Sequence, residues 1–233
     1  MRAIYKRELR AYFTSPLGYV ILAVMTFFLS MYFVAMLNQQ NGNIAILFYS
    51  ASTFTLLIPP LMTMRLFSEE KKQKSDQLLF TAPVSITRIV LGKYLASFTV
   101  FMLNYAITII FEIIFASLTE VNVLVYLSSL LGTALLGLSI LAIGIFISSI
   151  TESQIIAAIL GIISSVSIML LDFIGSAFSN AFIATLFTSL SFTNRYNTFN
   201  AGIIDFSNIV FFLSVSALFI FLTIRVHDKK RWA

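Results

Sequence analysis

Apolar residues run through this chain in long, nearly unbroken blocks, and the block lengths predict its elements. Residues 17–37, 44–66, 91–118, 123–149, 155–174 and 207–226 each supply the roughly 20 residues that an α-helix needs to cross a bilayer. Residues 1–15 follow another period: Tyr5, Leu9, Tyr12 and Phe13 share one helical face, and Lys6, Arg7 and Arg10 share another. That pattern predicts a short amphipathic helix lying along a membrane surface. Pro16 and Gly18 then let the chain turn into the first span. Residues 67–90 are the one long polar interruption, flanked by spans two and three. Residues 175–206 mix short apolar pieces with Ser, Thr and Asn, too broken for a crossing and too apolar for a free loop, which predicts a re-entrant or interfacial helical segment on the outer side. The predicted fold is an all-α polytopic membrane protein: one transmembrane domain of six helices over 1–233, with an N-terminal interfacial helix and a polar helical segment between spans two and three.

Composition agrees with that pattern. The chain is 59% hydrophobic and 11% charged, whereas soluble domains carry about 25% charged residues. Its N-terminus faintly resembles a signal peptide, but the apolar run is longer than the roughly 7–15 residues of a signal core and reads as a retained span. The absence of cysteine removes disulfide, thiolate-metal and thiol-nucleophile chemistry. A net charge of +5 does not point to nucleic acid, because the basic residues flank apolar runs. Fourteen of the fifteen Lys and Arg residues fall on one side of the six-span topology, and Arg195 alone falls on the other. The positive-inside rule makes the first side cytoplasmic, with both termini on it.

The polar segment reads as two helices with a corner. Ser68 is placed to cap the first, Glu69 and Glu70 suit its N-terminal end, Thr81-Ala82-Pro83 breaks it, and Ser85 is placed to cap the second. Leu78-Leu79-Phe80 needs an apolar partner, either the underside of the bundle or another protein. Just before the segment, Pro59-Pro60 is expected to kink or unwind span two, which makes it a candidate hinge. Within the spans Asn104, Glu112 and Asp172 are candidates for a substrate path. Glu112 and Asp172 sit near outer ends, where an outer vestibule or the interface would receive them. Arg195 is expected to pair with Asp205 or Asp172, and His227 reads as a solvated end residue.

The runs TMRLFSEEKK, QLLFTAPVS and VLGKYLA resemble the cytoplasmic segment of ABC-2 type permeases, especially the branch typified by the gliding-motility-associated permease. RELRAYFTSPLGYV, SSITESQIIAAILG and the final third, from SFTNRYNTFNAGIIDFSN to RVHDKKRW, resemble other parts of the same branch, so the likeness covers essentially the whole chain. The resemblance implies a six-span permease in the bacterial cytoplasmic membrane, working as an exporter. It would pair with a second, identical or homologous permease and with two cytoplasmic ATP-binding subunits, and an accessory extracytoplasmic protein is a further expected partner. The coupling contact with the ATPase would involve Glu69, Glu70, Lys71, Gln77, Leu78, Leu79, Thr81 and Pro83. Where the family has Gly, Thr and an acidic residue, this chain has Lys74, Ser75 and Gln77, which weakens a charged contact at Gln77 and leaves the Leu78-Leu79 part standing.

The residues also bound the chemistry. No G-x-x-x-x-G-K-[ST] loop is present, so ATP and Mg would be bound by the partner, and the chain itself is expected to be no enzyme. Glu69-Glu70 is similar to the paired glutamates of a membrane protease family, but that chemistry needs histidines within the spans and the single histidine is terminal. An autonomous secondary transporter or channel is the alternative. It would place ionisable residues near the midplane of several spans, where this chain offers mainly Asn104.

Overall fold

The computed structural model describes residues 1–38, 43–74, 85–118, 122–177 and 187–232, the side chains of 172–177 and 230–232 excepted. The described residues form helices and no strands. In chain order these are α1 (Arg2–Thr14), α2 (Pro16–Asn38), α3 (Ala45–Thr63), α4 (Arg65–Lys72), α5 (Ile86–Tyr105), α6 (Ile107–Leu118), α7 (Val123–Ile150), α8 (Gln154–Ala177), α9 (Phe192–Asn200) and α10 (Phe206–Trp232). Six helical stretches are long and apolar enough to cross a membrane: Pro16–Asn38, Ala45–Lys72, Ile86–Leu118, Val123–Ile150, Gln154–Leu171 and Phe206–Lys229.

The central element is α7. In its most apolar stretch 72% of residues are buried, against 17% for α8 and 22% for α10, so α7 is the helix around which the others pack. Small residues explain the close approach. A Cβ added at Gly132 would press into Phe199, and Ser128 and Ser139 donate to the carbonyls of Phe199 and Phe212 at 2.7 and 2.9 Å. The Asn122 side chain starts α7 by accepting from the Leu124 and Val125 amides.

The third span is interrupted at Ala106, between α5 and α6. Asn104 and Thr108 turn their side chains back onto ladder carbonyls there, at Val100, Phe101 and Tyr105, and compete with the backbone for them. At the end of the bundle remote from α1, α9 folds inward. Ser191 caps it, and Tyr196 hydrogen-bonds Thr133 and the Phe48 carbonyl, both at 3.0 Å. Gly202, at φ +84°, closes α9 with paired bonds from Gly202 N to Phe199 O and from Ile203 N to Thr198 O. The rest of the segment expected here includes 178–186, outside the described residues.

The structure corrects three expectations. Arg195 does not pair with Asp205: it donates to Asn208 Oδ1 and the Ser189 carbonyl and stacks on Phe211, while Asp205 accepts from the Ser207 amide. The Asp172 side chain lies outside the description. His227 is buried, not solvated, because α10 continues as helix to Trp232 and carries the imidazole to within 4.4 Å of the Phe67 ring. Ser68 does not cap a helix. It lies inside α4, and its hydroxyl donates to the Met64 carbonyl.

Candidate functional site

The elements around the polar segment converge at the basic end of the bundle, and span two sets the geometry. Pro59 and Pro60 remove two ladder donors, yet α3 runs helically through both. The Thr63 hydroxyl binds the Pro59 and Pro60 carbonyls at 3.1 and 3.3 Å. Neighbouring helices press on the same turn: a Cβ at Gly161 would lie 2.7 Å from Pro60 Cβ, and one at Gly144 would collide with the Thr63 hydroxyl. The prolines therefore do not unwind the span. The interruption comes at Met64, one turn later, where α3 ends and α4 begins.

At that junction the hydroxyl of Ser148, near the end of α7, enters the backbone ladder. It accepts from the Phe67 and Ser68 amides at 3.1 and 3.2 Å and donates to the Met64 carbonyl at 3.1 Å. A side chain inserted between ladder donors and acceptors lets a helix change direction without orphaning its amides. One turn further on, Lys71 is buried and its ammonium donates to the Ser149 carbonyl, which is electrostatically favourable at the C-terminal end of α7.

A charge network ties α4 to two further helices. Lys93, on α5, is 1% exposed. Its ammonium lies 3.3 Å from Glu8 Oε1 of α1, 2.8 Å from Glu70 Oε1 of α4 and 2.6 Å from the Leu66 carbonyl, and 4.9 Å from the centre of the Phe67 ring. Arg7 reaches both carboxylates, Glu8 at 2.6 Å and Glu70 at 2.9 Å. Burial pushes the Glu8 carboxyl up, but the Lys93 and Arg7 charges outweigh it and hold Glu8 below the usual carboxylate range. Arg65 bonds Ser15 Oγ and the Ala11 carbonyl and lies over the Tyr12 ring. The Tyr12 hydroxyl donates to the Met62 carbonyl and meets Ser97 Oγ; burial raises its pKa to about 12, so it stays a protonated donor. These groups line an open cavity of about 430 Å³ bounded by Arg7, Glu8, Arg65, Glu69, Glu70 and Lys93.

The arrangement is mechanical. Among the described residues no three His, Cys, Asp or Glu side chains converge as a metal-binding group. Instead α4 is gripped by α7 on one side and by α1 and α5 on the other, and it continues span two. A displacement of α4 would therefore reach four helices at once.

Of the residues the sequence singles out, Glu69 is half-buried on α4, Glu70 is turned to Lys93 and Arg7, and Lys71 turns inward. Gln77, Leu78, Leu79, Thr81 and Pro83 lie outside the described residues. Asn104 is buried, with its amide nitrogen satisfied by its own helix. Glu112 is buried too, not opened to a vestibule, and neither carboxylate oxygen has a hydrogen-bond partner among the described residues. The network members that sequence reasoning missed are Glu8, Lys93 and Ser148. Two of them carried a signal: Glu8 is the one carboxylate in α1, and Lys93 is a cation set two turns into a mostly apolar helix.

Comparison with known proteins bears on what this machinery belongs to. A search of the curated proteins finds no match. The family model for ABC-2 family transporter proteins matches residues 30–226. That match begins within α2 and ends within α10, taking in the last part of the first span, most of the last span and all of those between, and on that footing the chain belongs to the ABC-2 transporter family as a membrane-spanning component.

Proposed function

We propose that the chain is the permease subunit of an ATP-driven exporter of the bacterial cytoplasmic membrane, in the gliding-motility-associated branch of its family. Its termini and α4 face the cytoplasm, and it pairs with a second permease, identical or homologous, and with two separate ATPase subunits that hold ATP and Mg. An accessory extracytoplasmic protein is a further proposed partner. The observation that carries this reading is the continuity of span two with α4, together with the clamps on α4 from Lys93 and Ser148. An ATPase pulling on residues 69–83 would act on a lever already joined to α1, α5 and α7. Glu69, Glu70, Gln77, Leu78, Leu79, Thr81 and Pro83 are the proposed contact. Lys71, turned onto α7, would hold the lever's end and not touch the partner. Asn104, Glu112 and Asp172 remain the proposed polar stations of a substrate path.

The test is co-purification with the ATPase encoded beside this chain. Replacing Leu78→Asp and Leu79→Asp is expected to abolish the complex while leaving the permease folded. A complex that survives both changes would overturn the docking site. Substrate movement in liposomes with no ATPase present would instead favour a secondary transporter or channel.

A further inference from the structure

A groove on the membrane-facing surface is unrelated to the coupling machinery. It lies between α5 and α10, has a volume of about 400 Å³, and its floor and walls are almost wholly carbon. On α10 the lining residues run from Leu213 through Ala217 and Ile220 to Ile224, eleven steps along the helix that span about 16 Å at 1.5 Å per residue. Half of a hydrocarbon core about 30 Å thick is about 15 Å. The groove starts at Leu213, seven residues into the Phe206–Lys229 span, crosses the span's midpoint and ends at Ile224 towards the basic end of the bundle, so its length is that of one leaflet although its far end passes the midplane. Small side chains at Ser216 and Ala217 make it concave, and the Tyr94 hydroxyl, spent on the Leu138 carbonyl, leaves no donor pointing into it.

Its basic end carries charge. The Arg225 guanidinium lies 5.1 Å over the ring of Phe221, which itself lines the groove. Arg88 is exposed one helical turn before the lining residue Leu91. Asp228 lies one turn beyond Ile224, and with Arg88, Arg225 and Lys229 at the same end the mouth keeps a positive balance. A slot one leaflet long, apolar along its length and cationic at its end, fits one molecule of a particular kind.

We propose that the groove is a binding site for a single anionic phospholipid of the inner leaflet, with an acyl chain along α10 and the headgroup phosphate between Arg88 and Arg225. Inner here rests on the topology proposed above; the leaflet-length fit does not. Native mass spectrometry of the full chain, released from nanodiscs containing phosphatidylglycerol and phosphatidylcholine with the same acyl chains, tests it. The expected result is one retained phosphatidylglycerol in preference to phosphatidylcholine. Arg88→Gln and Arg225→Gln should each lower that occupancy about fivefold, the equivalent of about 1 kcal/mol per basic residue at an anionic surface. Ala217→Trp, at an exposed position in the slot, should remove both lipids. Equal retention of the two lipids, or occupancy that survives Ala217→Trp, overturns the proposal. So does an Ala217→Trp chain that loses a dimer and no lipid, since a second copy would then be what covers the groove. If the tryptophan variant does not fold, the two arginine variants decide the matter alone.

Discussion

Lys93 is the residue on which the most other groups depend. A buried ammonium with two carboxylates and a carbonyl around it is stable only as a set, because removing one member leaves the others desolvated and uncompensated. Lys93→Met is expected to cost roughly 3–5 kcal/mol, read as a lowered unfolding midpoint in detergent. Adding Glu8→Gln and Glu70→Gln should recover part of that loss, since the stranded charges then go too. Full additivity of the three changes would show that the charges act independently. Glu8 also gives a pH signature. Its carboxyl holds a proton less tightly in the folded chain than in the unfolded one. Its stabilising contribution is therefore complete above the ordinary carboxylate value of about 4.3 and fades as pH falls through the lower folded value. Melting curves should stay level down to about pH 5 and drop below about pH 4, and Glu8→Gln should flatten that drop. An unchanged acid limb in the variant would place the titration elsewhere.

Among the elements, the α3–α4 junction decides how force would travel. The sequence points to Pro59-Pro60 as the weak point, and by propensity it is one. Tertiary packing overrides propensity there, because Gly144 and Gly161 bring two helices against that turn and Thr63 covers its carbonyls. The break between α3 and α4 falls at Met64, where the Ser148 hydroxyl enters the ladder. Ser148→Ala leaves the buried Phe67 amide without its acceptor and removes the second acceptor of Ser68, and is expected to cost about 1–3 kcal/mol. Hydrogen exchange should rise at Phe67 and Ser68 and stay unchanged at Pro59-flanking residues. Replacing Pro59→Ala with Pro60→Ala is the matching control: it should leave exchange at Phe67 and Ser68 as in the parent. Unequal effects in the opposite sense would return the hinge to the prolines. This contrast shows how far the sequence is legible. Six apolar blocks and an amphipathic start are readable because burial in a bilayer is a property of segment length and composition. Which hydroxyl of a serine-rich helix end meets which freed amide is not, because residues 81 positions apart carry no shared local pattern. The break at Ala106 is hidden for a related reason: Asn104 and Thr108 read as isolated polar residues in a span, and only the folded helix shows them binding carbonyls on successive turns, at Val100 and Phe101 and at Tyr105.

The whole molecule places both termini and α4 at one end, as an even number of spans requires. Because the chain contains no cysteine, single replacements report topology without background. Lys74→Cys and Lys229→Cys should stay unlabelled by an impermeant maleimide in intact cells, and Asn122→Cys and Ser207→Cys should label. The reverse pattern would invert the molecule and remove the cytoplasmic assignment of α4. The Lys93 network has one more consequence, in the order of manufacture. Glu8 and Glu70 leave the ribosome before Lys93, so the first helix made has no buried cation to settle against until the third span is inserted. Nascent chains stalled before residue 85 should leave α1 open to protease, and chains stalled beyond residue 118 should shield it. Equal protection at both lengths would mean that the first helix finds its seat without the residue that holds it there in the folded chain.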